Sequence, residues 1–246
     1  MSLEPILGRA PDARREDGEH WLSVSDLMSG LMILFLFISI AFMRHLEAQR
    51  TEAVEERDRV QSMVVIANNT QVAIYEALRE EFQADLLRWN AELDRDTLTV
   101  RFRAPDILFD RSSDELKPEF RAILADFFPR YMARLDQFHD AVAEIRIEGH
   151  TSSEWSADVN ADEAYFRNMA LSQSRTRSVL RYCKSLPHID SYPWLRDRMA
   201  AVGLSSSRLV RRADGSEDAE HSRRVEFRVQ TNFEKRMIQA ILPGAG

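Results

Sequence analysis

Two sets of residues in this 246-residue sequence have types and spacing that could do chemistry. The first is a lone carboxylate, Asp26, at the mouth of an apolar run: from Leu27 to Met43 there is no charged residue, and only Ser29 and Ser39 are polar. A carboxylate near the centre of a bilayer costs about 2.5–3.5 kcal/mol on insertion scales, so it usually marks an ion or proton path. Spacing alone leaves a second reading open, because Ser23 followed three residues later by Asp26 resembles a capping box at a helix start. Ser29 and Gly30 lie within a turn of Asp26 and would let a neighbouring helix approach closely. The second set is Glu148, His150 and Ser152, the residue types of a hydrolase. No nucleophile–base spacing emerges from them, and an enzyme is not expected.

The elements that must position Asp26 follow from length. Trp21 to Met43 is 23 residues, and about 20 helical residues cross a hydrocarbon core of roughly 30 Å. Trp21 sits where an interfacial aromatic belongs, and Arg44 and His45 end the run. The leading segment mixes Arg14 and Arg15 with Glu16, Asp17 and Glu19, and no small-residue cleavage site follows, so a retained span is expected rather than a cleaved signal. Arg9, Arg14 and Arg15 before the span nearly balance Arg44, Arg50, Arg57 and Arg59 after it, which leaves orientation open.

Composition removes other classes. A net charge of −7 argues against a sequence-independent nucleic-acid surface. A mean hydropathy of −0.37 excludes a multi-span transporter. Cys183 is the sole cysteine, so no intramolecular disulfide and no cysteine metal cluster can form, and neither metal nor cofactor is expected.

After the span no proline occurs before Pro105 and no glycine between Gly30 and Gly149. Residues 44–95, dense in Glu, Arg, Gln and Ala, are therefore expected to be helical: a paired stalk, or one amphipathic helix lying on the next domain. Apolar positions such as Val60, Val64, Ile74, Leu78, Phe82, Leu86, Trp89 and Leu93 recur at threes and fours without a sustained heptad. From Leu98 the pattern changes. "LTVRFRAP" alternates as a strand does, and 117–138 has helical spacing with Pro129 expected to kink or split it. "AEIRIEGHT" is a second strand, 163–185 a helix, 193–204 a short helix running into a strand, and "RRVEFRVQ" a last strand after an Asp214–Gly215 turn. The expected class is α+β: one transmembrane helix, a helical stalk, and an α/β sandwich with one sheet face covered. The expected bounds are a tail over 1–20, the span over 21–43, the stalk over 44–95, the domain over 96–235 and a tail over 236–246.

The stretches "LFD…SSDELKPEF", "IRIEGHTSS", "NMALSQSRTRSVLRYC" and "SRRVEFRV" occur in the order found in OmpA-like peptidoglycan-binding domains, which residues 96–232 resemble. That resemblance implies recognition of the diaminopimelate-containing peptide stem by Asn168, Leu171 and Arg175, with Ser172 on the same helix face, and by the turn at Thr151 and Ser152. The helical positions are spaced i, i+3, i+4 and i+7, which share one face. An arginine fork there suits a carboxylate and an asparagine amide suits a peptide. Two departures bear on the site. The family's aspartate after "GHT" is Ser152, and about eight extra residues around "SEWSADVNADE" follow it, where Asp158, Asp162 or Glu163 could supply the missing carboxylate.

A span with one aspartate, a stalk and an OmpA-like domain together resemble MotB-type stator subunits, with "SVSDLMSGLMILFLFISIAF" as the ion-channel helix and Asp26 at its essential carboxylate. "WLSVSDLMSGLM", the altered "GHTSSEW" site and the lack of a proline soon after the span are most similar to the stators of the Zorya anti-phage defence system; flagellar or gliding-type stators, or a passive envelope anchor, are the alternatives. The resemblance implies a homodimer inside a multi-span MotA/ZorA-like ring subunit, a plug somewhere in 44–65, a proton as the default coupling ion, and peptidoglycan as the anchor. It also implies a single pass through the inner membrane of a bacterium, with the amino terminus cytoplasmic and the domain periplasmic.

Overall fold

The computed structural model describes residues 16–103, 105–156 and 158–233, with the backbone alone at 16–23, 105 and 106. The tail before Glu16, the tail over 236–246, and the side chains of Trp21 and Ser23 lie outside the described residues. The chain divides into two compact units, 1–61 and 62–246, and each is described by itself.

Helix α1 is Glu16–Leu86. In the first unit every described side chain from Val24 to Met43 is exposed, Leu27 and Met32 both at 74%. A continuous apolar surface of this kind is not left in water by a folded chain. Among the described residues, α1 is the one helix long and apolar enough to cross a membrane. Asp26 lies well inside α1, whose first described turn starts at Glu16, so the helix-cap reading of Asp26 is corrected: no free amide group of a helix start lies beside it.

In the second unit the end of α1 buries Ile74, Leu78 and Phe82 completely, as their four-residue spacing on one helix face requires. Helix gives way at Leu86. The chain then turns through Asn90, at φ 48°, into β1 (Ala91–Asp94), which pairs antiparallel with β2 (Thr99–Phe102). Residues 91–94 are therefore strand where a helix was expected. The Asp94 carboxylate closes the hairpin by accepting from the Thr97 amide and hydroxyl, both at 2.9 Å. That local turn chemistry outcompetes a helical propensity that is only a weak prior.

The chain continues through α2 (Pro105–Leu108), α3 (Pro118–Asp136), β3 (Val142–His150), α4 (Ala161–Ser185), a 3-10 turn (Ile189–Ser191), α5 (Leu195–Arg198), β4 (Met199–Gly203), α6 (Ala219–Ser222) and β5 (Arg224–Thr231). The five-stranded sheet has the order β1-β2-β5-β3-β4. Only β3 and β4 are parallel, and α4 lies in the crossover that a parallel pair needs. Strand alternation gives the sheet two unlike faces. Val100, Phe102, Ile145, Ile147, Val225 and Phe227 join Phe120, Phe127 and Tyr131 of α3 in an aromatic core, with the Phe127 and Phe227 rings 5.1 Å apart. The opposite face carries Arg101, Glu148, His150, Arg224 and Glu226.

Pro129 does not split α3, which is one helix with Pro129 inside it. Phe127, Phe128, Tyr131 and Met132 on either side are fully buried, and that packing outweighs the missing backbone hydrogen bond. The sandwich of α3 and α4 on one sheet face matches the expected class.

Candidate ligand-binding cleft

The site is built where β3 runs out against α4. Gly149 is required there: a Cβ would stand 2.6 Å from Thr176 Cγ2 and 3.0 Å from the Ser172 carbonyl oxygen. Gly203 of β4 is pressed still closer, with Gln173 N 2.3 Å from where its Cβ would be. These two contacts let α4 lie directly on the strand ends. Asn160 starts α4 by accepting from the Glu163 amide at 2.8 Å. The Thr151 amide donates to the Ser205 carbonyl at 2.9 Å, and the Ser205 amide donates to Ser172 Oγ at 3.1 Å. Ser172 therefore frames the turn rather than facing the cleft.

The cleft beside this junction has a volume of about 560 Å³. Thr151, Ser152, Asn168, Leu171 and Arg175 all line it. The structure thus brings together the five residues singled out in the sequence from two separate stretches. Thr151, Ser152 and Asn168 are buried, and Asn168 Nδ2 donates to the Glu154 carbonyl at 3.2 Å. Arg175 lies over the Phe109 ring, 4.8 Å from its centroid. Its Nε donates to the Ser113 carbonyl at 2.8 Å and its Nη2 to the Asp110 carbonyl at 3.0 Å. Two of five guanidinium N–H groups are used on the backbone, leaving three for a ligand. Burial pushes the Arg175 pKa down to about 10, helped by the charge of Arg223 and opposed by Asp114. It remains a cation at neutral pH.

Asp158, Asp162 and Glu163 do not line the cleft. Glu163 is engaged with Arg167 at 2.7 Å, and the Asp158 carboxylate is held low by Ser156. The carboxylates that do line it are Asp110, paired with Lys117 at 3.0 Å, and Glu154 on the exposed rim. Sequence reasoning passed over Phe109, Trp155 and Arg223, which also line it. Phe109 and Arg223 stand inside the quoted stretches "LFD" and "SRRVEFRV" but read there as strand residues. Trp155 stands in the quoted "GHTSSEW" stretch but was not singled out there as a contact.

Glu148, His150 and Glu226 meet on the far sheet face, with a potential ligand atom from each lying within 4.8 Å of the others. Guanidiniums already occupy the carboxylates. Arg101 Nε and Arg224 Nε donate to Glu226 at 2.6 and 2.7 Å, and Arg208 Nη1 donates to Glu148 at 3.0 Å. Burial disfavours the Glu226 charge, but His150, Arg224 and Arg101 outweigh it and hold the carboxyl far below the usual range. His150 Nε2 stands 3.7 Å from both carboxylates, too far for a hydrogen bond, and neither ring nitrogen has a hydrogen-bond partner among the described residues. The trio suits a fixed ion network better than a metal.

No family model matches the chain. Among solved structures it is similar to a putative MotB-like protein from Desulfovibrio vulgaris, with 22% identity, a TM-score of 0.48, and coverage of 67% of this chain and 93% of that one. It is also similar to the periplasmic domain of Helicobacter pylori MotB, with 14% identity, a TM-score of 0.41, and coverage of 58% and 83%. Among curated proteins it is 45% identical over 240 residues to the Zorya protein ZorB of Escherichia coli, covering 97% of this chain and 99% of that protein. A match of that identity along nearly the whole length of both means that the chain belongs to the ZorB family.

Proposed function

We propose that this chain is the cell-wall-anchored, ion-carrying stator subunit of a Zorya anti-phage defence motor. Two copies would sit within a ring of a multi-span ZorA-like partner in the inner membrane, with the amino terminus cytoplasmic and the cleft in the periplasm. The observation that carries the reading is the convergence of Thr151, Ser152, Asn168, Leu171 and Arg175 on one cleft, in a chain that also bears Asp26 in its apolar helix.

The mechanism is physical rather than covalent. Asp26 takes up a proton and loses its charge, then releases it towards the cytoplasm, and each change alters how the helix pairs with the surrounding ring. Such a change does work only if this subunit is held still, and that is the role given to the cleft: it grips the peptide stem of peptidoglycan while the ring turns. Residues 44–65 would act as a plug before assembly.

The test is Asp26→Asn, which keeps size and polarity but cannot carry a proton. Ion flux through the co-reconstituted subunits and protection against phage should both disappear, while co-purification with the ring subunit persists. Protection retained by Asp26→Asn rules out the ion path, and Asp26→Leu tolerated without loss would favour a passive anchor.

A further inference from the structure

Away from the cleft, a mostly apolar groove of about 280 Å³ opens between the α1 stretch that begins the second unit and the end of β5. Met63, Ile66, Ala67 and Thr70 of α1 form one wall, and Ala141, Thr231, Asn232 and Phe233 form the other. Met63, Ala67 and Thr70 lead, at spacings of four, three, four and four, into the stripe that buries Ile74 and Leu78. Those two are fully buried, whereas Met63, Ala67 and Thr70 are only half-buried and Ile66 on the rim is 61% exposed. The core stripe of α1 therefore runs on into a stretch that the described residues cover incompletely.

The described residues end at this groove. Asn232 is fixed beside it: its backbone amide donates to the Ala141 carbonyl at 2.9 Å and its Nδ2 to the Asp140 carbonyl at 2.5 Å. Phe233 follows in helical conformation and is itself part of the wall. The sequence beyond it, "EKRMIQAILPG", places Met237, Ile238, Ile241 and Leu242 at i+4, i+5, i+8 and i+9 from Phe233, with Lys235, Arg236 and Gln239 among them. On a helix the apolar set shares a face with Phe233 and the polar set takes the opposite face, and Pro243–Gly244 is a stop signal. Residues 234–242 would rise about 13 Å as a helix, against about 10 Å from Met63 to Thr70.

We propose that residues 234–242 form an amphipathic helix that docks into this groove, so that the carboxyl-terminal segment clasps α1 where it enters the second unit. The occupant is this chain rather than a second copy, because a segment tethered at the edge of the groove acts at an effective concentration of about 1 mM, where weak apolar contacts suffice. The clasp stands independently of what the cleft binds.

The experiment uses the full chain in detergent micelles with Ile66→Cys as reporter; the native Cys183 is fully buried and shielded from reagent. Maleimide labelling of Ile66→Cys should be slow in the full chain and at least tenfold faster when the chain is shortened to end at Phe233. Met237→Asp together with Ile241→Asp should accelerate labelling to a similar extent without shortening the chain. Gln239→Asp, on the polar face, should leave it unchanged, and thermal unfolding confirms that each variant is folded. Oxidation of Ile66→Cys paired with Met237→Cys or Ile241→Cys should give a disulfide within one chain, and pairing with Gln239→Cys none. Equal labelling with and without the segment, or acceleration by Gln239→Asp as large as by the apolar-face pair, overturns the clasp. Disulfides that form only between two chains give the groove to a second copy and overturn it as well.

Discussion

The far face of the sheet and the cleft are both rich in arginine, and they use it in opposite ways. On the sheet face, carboxylates meet guanidiniums directly: Glu226, 1% exposed, accepts from Arg101 and Arg224, and Glu148, equally buried, accepts from Arg208, although Glu148 Oε1, Arg228 Nε and both His150 ring nitrogens have no hydrogen-bond partner among the described residues. In the cleft, Arg175 spends its bonds on carbonyls, with Arg223 acting against its charge and Asp114 in its favour. A buried charge that is fully paired adds little beyond fixing the fold, whereas one left unpaired costs stability unless something else supplies the counterion. The paired network is architecture, and the cleft arginines are the groups proposed to meet a ligand.

The contrast can be broken most severely at Glu226. Glu226→Gln leaves Arg101 and Arg224 facing a neutral amide and should cost about 3–5 kcal/mol of unfolding free energy, read by denaturant titration. Sacculus binding should persist wherever the protein remains folded. Next, Gly149→Ala forces a Cβ against Thr176 and the Ser172 carbonyl, and overpacking of this kind costs about 1–3 kcal/mol. Because α4 must shift to relieve it, Gly149→Ala should lower binding and stability together. Arg175→Ala should cost only about 1–2 kcal/mol of stability, from two hydrogen bonds to backbone carbonyls, while removing most of the binding.

The mildest effect is acid. Glu148 and Glu226 are both held below their ordinary values by neighbouring cations despite burial. A carboxyl depressed in the folded state contributes stability that is fully present above its unfolded value near 4.5 and is lost as pH falls towards the folded one. Melting temperature should therefore be flat between pH 6 and 8 and decline below about pH 5. An opposite slope in that window would mean that the sheet-face carboxylates are not charged in the folded protein.

How far the sequence could be read depends on which of these two regimes a residue serves. The strands β3 and β5 were plain because their alternation is strict: Ile145 and Ile147 against Arg146 and Glu148, Phe227 against Glu226 and Arg228. The helical spacing of Ile74, Leu78 and Phe82 was equally visible, and of the two readings it allowed, their complete burial takes that of a helix lying on the domain. β1 was hidden because four residues following a long charged helix carry no signal of their own; its cause is the hairpin partner and the Asp94 turn. In the cleft, the α4 residues were legible through the resemblance to OmpA-like domains, with their i, i+3 and i+7 spacing placing them on one face. Arg223 was not, since a charged residue beside a strand gives no hint of whether its partner lies within the protein. That information exists only in three dimensions, where Arg224 finds Glu226 and Arg223 finds no carboxylate partner among the described residues.

The account turns on whether the cleft is what holds the chain to the cell wall. Co-sedimentation of the full chain with purified sacculi, comparing wild type with Arg175→Ala at equal melting-curve quality, measures it directly. Wild-type protein should pellet and Arg175→Ala should stay in the supernatant while retaining a cooperative transition within a few degrees of wild type. A folded Arg175→Ala protein that pellets as wild type does would contradict the assignment of the cleft.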